Sequence, residues 1–85
     1  MSPRIYMGGL PSSATDRRLR LLCAPHGTVK LASVIRSKIT GQSFGYGFVE
    51  MGSAEEAGEV IMVLNGTRLE GQRLAVFSVP GSSSW

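Results

Sequence analysis

The apolar positions of this chain change period repeatedly, and each change marks an element. Residues 4–10, Arg-Ile-Tyr-Met-Gly-Gly-Leu, are short and β-prone and stop at Pro11, which predicts a first strand closed by a turn. Ser12, Ser13 and Thr15 are helix-capping types, Asp16 follows where the helix dipole favours an acid, and Leu19, Leu22 and Cys23 recur at helical spacing. Arg17, Arg18 and Arg20 fall off that stripe, and Pro25 with Gly27 ends it. Residues 29–36 are rich in β-branched side chains and predict a second strand. A polar stretch over 37–43, turning at Thr40-Gly41, leads as a hairpin into a third strand over 44–51. Ser53 caps a second helix whose Ala54, Ala57, Val60, Ile61 and Leu64 share one face, and Asn65-Gly66 closes it. Residues 73–79 alternate as a last strand. The order βαββαβ predicts an α+β, ferredoxin-like fold, a four-stranded antiparallel sheet with two helices on one face. It occupies residues 3–80 as one domain, with 81–85 expected to be a flexible tail.

Strand three shows which sheet face the helices cover. Side chains alternate at period two, so Phe44, Tyr46, Phe48 and Glu50 share one face and Gly45, Gly47, Val49 and Met51 the other. The helices carry aliphatic stripes that must be buried on a matching surface. Ile5, Met7, Val34, Val49, Met51, Leu74 and Val76 supply it, and the glycines allow close approach. Tyr6, Tyr46 and Phe48 are then left on the opposite face, an aromatic patch that demands a purpose. An inverted core would bury Glu50 and strand the aliphatic set. Cover by the terminal residues, which include Trp85, is the other alternative.

Composition narrows the chemistry. The chain has 85 residues, 42% of them hydrophobic, and a net charge of +3, too apolar and too weakly charged for a disordered segment. No apolar run approaches the roughly 20 residues that span a bilayer, and the start lacks a secretory apolar stretch. An intracellular protein with no membrane partner is expected, nuclear and cytoplasmic settings not being separable. One Cys and one His exclude a disulfide framework and fall short of a zinc ligand set, so neither metal nor cofactor is expected.

These residues resemble the RNA recognition motif, or ribonucleoprotein domain, over essentially the whole chain. Its octapeptide, K/R-G-F/Y-G/A-F-V-x-F/Y, aligns with Phe44-Gly45-Tyr46-Gly47-Phe48-Val49-Glu50-Met51, and its strand-one hexapeptide resembles Ile5-Tyr6-Met7-Gly8-Gly9-Leu10. Gly27 and Leu64-Asn65-Gly66 match the family's glycines after each helix. Residues 36–49 are most similar to Hu (ELAV-type) proteins that bind AU-rich and U-rich RNA. The resemblance implies a non-catalytic, post-transcriptional role in which Tyr6, Tyr46 and Phe48 stack bases of single-stranded RNA. At about 1–3 kcal/mol per stack, three rings offer roughly 3–9 kcal/mol, a range that brackets a micromolar complex at about −8 kcal/mol. Phe77, with Ala75 on the same side of strand four, extends that platform, and Phe44, Ser33 and Glu50 flank it.

The chain also departs from the family pattern. Phe44 stands where the family carries a phosphate-holding Lys or Arg, so Arg36 and Lys38, then Arg4 and Arg73, are the expected phosphate contacts. Gly9 replaces the hexapeptide Asn, and Met51 and Cys23 replace core aromatics. Single-stranded DNA offers the same base faces and is a further expected ligand. A protein partner on the helix face, through Met62 and Val63, is the competing reading. Enzymes of this fold are disfavoured: an acyl-phosphate hydrolase needs an Arg and a positioned Asn in the turn after strand one, and Gly8-Gly9-Leu10-Pro11-Ser12-Ser13 has neither.

Overall fold

A computed structural model of the chain describes residues 3–79. The elements run β1 (Arg4–Gly8), α1 (Asp16–Cys23), a single 3-10 turn (Ala24–His26), β2 (Val29–Arg36), β3 (Ser43–Met51), α2 (Ala54–Leu64), β4 (Arg68–Leu69), β5 (Gln72–Arg73) and β6 (Ala75–Ser78). The main sheet is antiparallel in the order β2-β3-β1-β6, with both helices packed on one face, the expected ferredoxin-like arrangement.

Local chemistry sets the helix starts. Thr15, of the three capping candidates, is the N-cap of α1, its Oγ1 accepting from the Arg18 N–H at 3.1 Å. Ser53 Oγ does the same for Glu56 at 3.2 Å. The core is the aliphatic set: Ile5, Met7, Leu19, Val49, Met51, Val60, Val76 and Cys23 are almost wholly buried. Gly47 lies directly beneath α1, where a Cβ would press on the Ser33 carbonyl and come within 3.0 Å of Leu19 Cδ1.

Two expectations need correction. The last strand does not run unbroken from residue 73. Gln72–Arg73 pairs with Arg68–Leu69 in a separate two-stranded ribbon, and the sheet strand starts at Ala75. Leu74 turns inward at the break, its N–H donating to Thr67 O and its carbonyl accepting from Gly66 N–H, both at 2.8 Å. Gly45 is not a packing glycine either. It takes φ +85 in an irregular stretch where β2 and β3 fall out of step between Val34 and Arg36, a conformation that side chains resist. The expected tail, with any cover of the rings by Trp85, lies outside the described residues.

Candidate nucleic-acid interface

Cross-strand register arranges the face opposite the helices in rows. The central row is Ser33 on β2, Phe48 on β3, Tyr6 on β1 and Phe77 on β6. One step along lie Tyr46, Gly8 and Ala75, and one step the other way Leu31, Glu50 and Arg4. The intervening residues Ile5, Met7, Ala32, Val34, Val49 and Val76 are buried on the helix side, and Ser78, opposite Ile5 at the end of β6, is half-buried. Strand alternation therefore delivers aromatics to one face because it delivers aliphatics to the other.

Tyr6 is the hub of the ring cluster. Its centroid lies 4.6 Å from Phe77 and 5.7 Å from Tyr46, each at 26° between planes, and 5.9 Å from Phe48 in an edge arrangement. Tyr46 and Phe48 stand 6.1 Å apart and nearly perpendicular. All four separations fall in the range in which aromatic pairs attract. Gly8 makes room for this: a Cβ there would sit 2.5 Å from the Tyr6 hydroxyl and 2.8 Å from its ring. The Tyr6 side chain lies along its own strand over that glycine.

The other sequence candidates separate by position. Phe44 is 59% exposed and, among the described residues, makes no ring contact with the cluster. Phe77, 53% exposed, joins it. Arg36 is held by the backbone, Nη2 donating to Ala14 O at 2.7 Å and Nη1 to Gly41 O at 3.3 Å, so part of its donor set braces the loops. Lys38 is exposed in the β2–β3 loop. Arg73 sits on the short ribbon rather than on a strand of the sheet. Arg4 faces Glu50 across β1 and β3, Nε to Oε1 at 3.6 Å.

Leu31 and Gly8 were not legible as parts of this surface. Leu31 lies beside Glu50 only because the β2–β3 register shifts between Val29 and Leu31, and no residue type announces such a shift. The helix-side charges are engaged elsewhere: Arg18 pairs with Glu70 at 3.3 Å, and Arg20 Nη1 donates to Val29 O at 3.0 Å. No group of His, Cys, Asp and Glu among the described residues suits a metal ion, and no described helix is long and apolar enough to cross a membrane.

The family model of the RNA recognition motif matches residues 5–75. A 28 kDa chloroplastic ribonucleoprotein of Spinacia oleracea is 40% identical over 75 residues, which are 88% of this chain and 32% of that protein; the chain thus spans about a third of its length. Among solved structures, an RNA binding protein PG1 superposes with a TM-score of 0.90 at 32% identity, covering 98% of this chain and 100% of the other. A Sex-lethal protein/RNA complex superposes with a TM-score of 0.88 at 33% identity, covering 99% of this chain and 51% of the other.

Proposed function

The chain belongs to the RNA recognition motif family, and from that membership we propose that it binds a few unpaired RNA nucleotides by stacking their bases on Tyr46, Phe48 and the Tyr6–Phe77 ledge. The observation that supports this most is the ring cluster itself: four aromatic side chains from three adjacent strands, on the sheet face that the helices do not cover. Clustered rings on a sheet face mark an interaction surface, and nucleobases are flat, apolar-faced partners for them. A similar structure holds RNA, the Sex-lethal complex. The hairpin's likeness to Hu-type proteins favours U-rich strands. Single-stranded DNA shares the base faces and would compete for the same rings, more weakly wherever a 2′-hydroxyl is read.

Lys38 is the best-placed phosphate contact, since the Arg36 guanidinium already holds two backbone carbonyls. An RNA ligand implies an intracellular setting, and the role assigned involves no catalysis. A protein partner on the helices would meet Leu21, Met62 and Val63, all exposed. Scattered exposed apolar residues are ordinary, however, whereas clustered rings are not.

The test is titration with short U-rich, A-rich and mixed single-stranded RNAs, followed by intrinsic fluorescence. Saturable binding is expected, and Tyr46→Ala should weaken it by about 1–3 kcal/mol, the cost of one lost stack. Undiminished binding by a folded Tyr46→Ala, Phe48→Ala double variant would reject the platform.

A further inference from the structure

One end of the platform carries an ion pair that stacking does not explain. Arg4 and Glu50 face each other in register, one residue pair beyond Tyr6 and Phe48 on the same sheet face. Their side chains are each 26% exposed. Leu31, 46% exposed, completes the row from β2. A carboxylate is an improbable neighbour for an RNA backbone, which it repels. It is a good neighbour for base-edge N–H groups, because an ionised Glu only accepts hydrogen bonds.

The spacing leaves it capacity to do so. The Arg4 Nε to Glu50 Oε1 separation of 3.6 Å is an ion-pair distance, too long for a hydrogen bond, so the pairing fixes the carboxylate's place without saturating its lone pairs. Read along the row, the pair presents two adjacent acceptors followed by a cationic donor. Among the four bases, guanine alone offers the complement along its Watson–Crick edge: the N2 amino group, the N1–H and then the O6 acceptor. Uracil has a single donor between two acceptors. Adenine and cytosine each place one amino donor beside a ring-nitrogen acceptor that would face the carboxylate.

Resting on the RNA reading above, we propose that Arg4 and Glu50 form a base-selecting site for guanine at the nucleotide beside the one stacked on Phe48, with Leu31 as its apolar wall. Glu50 accepts from N1–H and N2–H, and Arg4 donates to O6. Arg4 is thereby a base contact rather than the phosphate contact expected of it.

The experiment uses a uridine pentamer in which each position in turn carries A, C or G, titrated against the wild-type chain and Glu50→Gln. The wild type should favour guanine at one position by at least about fivefold, the lower end for a bidentate base contact. Glu50→Gln, which keeps shape and removes charge, should reduce that preference below about twofold while all-uridine binding stays equal or tightens slightly. Equal changes for all four bases would show that the carboxylate acts only as bulk charge and would overturn the inference. Absence of base preference in the wild type would overturn it too, with the platform left standing if all-uridine binding still depends on Tyr46. Failure of every pentamer to bind would instead remove the platform reading and this one with it.

Discussion

Cys23 illustrates what burial does to a single side chain. It is the last residue of α1, turned into the core, and loss of solvent pushes its thiol from the ordinary 9.0 up to about 11. The unfolded chain then ionises before the folded one does. Stability is fully present below about pH 9 and declines as the pH rises towards about 11. Urea melts across that window should show this alkaline loss in the wild type and a smaller one in Cys23→Ala, the difference between the two proteins isolating the thiol. The same thiol should resist alkylation in the folded protein. Tyr6 is the opposite case, a large side chain kept on the surface because the strand places it there and Gly8 leaves it space.

At the scale of elements, side chains seal the two edge strands of the sheet. On β2 the Val34 N–H donates to Asp16 Oδ1 at 2.7 Å, and on β6 the Val76 N–H donates to Asn65 Oδ1 at 3.0 Å. An unpaired edge invites another strand, so each helix contributes a residue that occupies one edge donor. Asn65→Ala should therefore do more than alter the end of α2. It leaves a part-buried N–H without its partner, a loss of about 1–3 kcal/mol, which chemical denaturation should register as a lower midpoint at unchanged slope. A value within experimental error of zero would mean that water replaces the amide fully. The β4–β5 ribbon is tethered in a similar way: the Glu70 carboxylate accepts from Ser13 Oγ at 3.0 Å and from Arg18 Nη1 at 3.3 Å, while its φ of +51, with Gly71 at +84, is what the two-residue turn between Leu69 and Gln72 requires.

For the molecule as a whole, a net charge of +3 leaves little electrostatic attraction to share among phosphates. Several of its cations are committed internally, Arg18 to Glu70, Arg20 to Val29 O and Arg36 to Ala14 O. Binding to single-stranded RNA should consequently depend weakly on salt, with a slope of about −0.7 per neutralised phosphate. Affinity measured across a range of monovalent salt gives this slope directly. One equivalent to six or more phosphates would transfer the dominant share of affinity from rings to charge.

Much of this was legible in the order of residues, because short-range periods carry it. Alternation in strand three separates Tyr46 and Phe48 from Val49 and Met51, and helical spacing in α1 and α2 shows that the aliphatic side is the covered one. The caps at Thr15 and Ser53 act within one helical turn. What the sequence could not reveal depends on how strands meet. The register shifts in β2 and β3 bring Leu31 beside Glu50, and the break at Leu74 moves Arg73 off the sheet. The loop contacts that engage Arg36 belong to the same class. Local pattern determines which face of a strand a side chain takes. Only tertiary pairing decides which side chain on the neighbouring strand it meets, because a bulge slides one strand past another without changing the residue types that either presents.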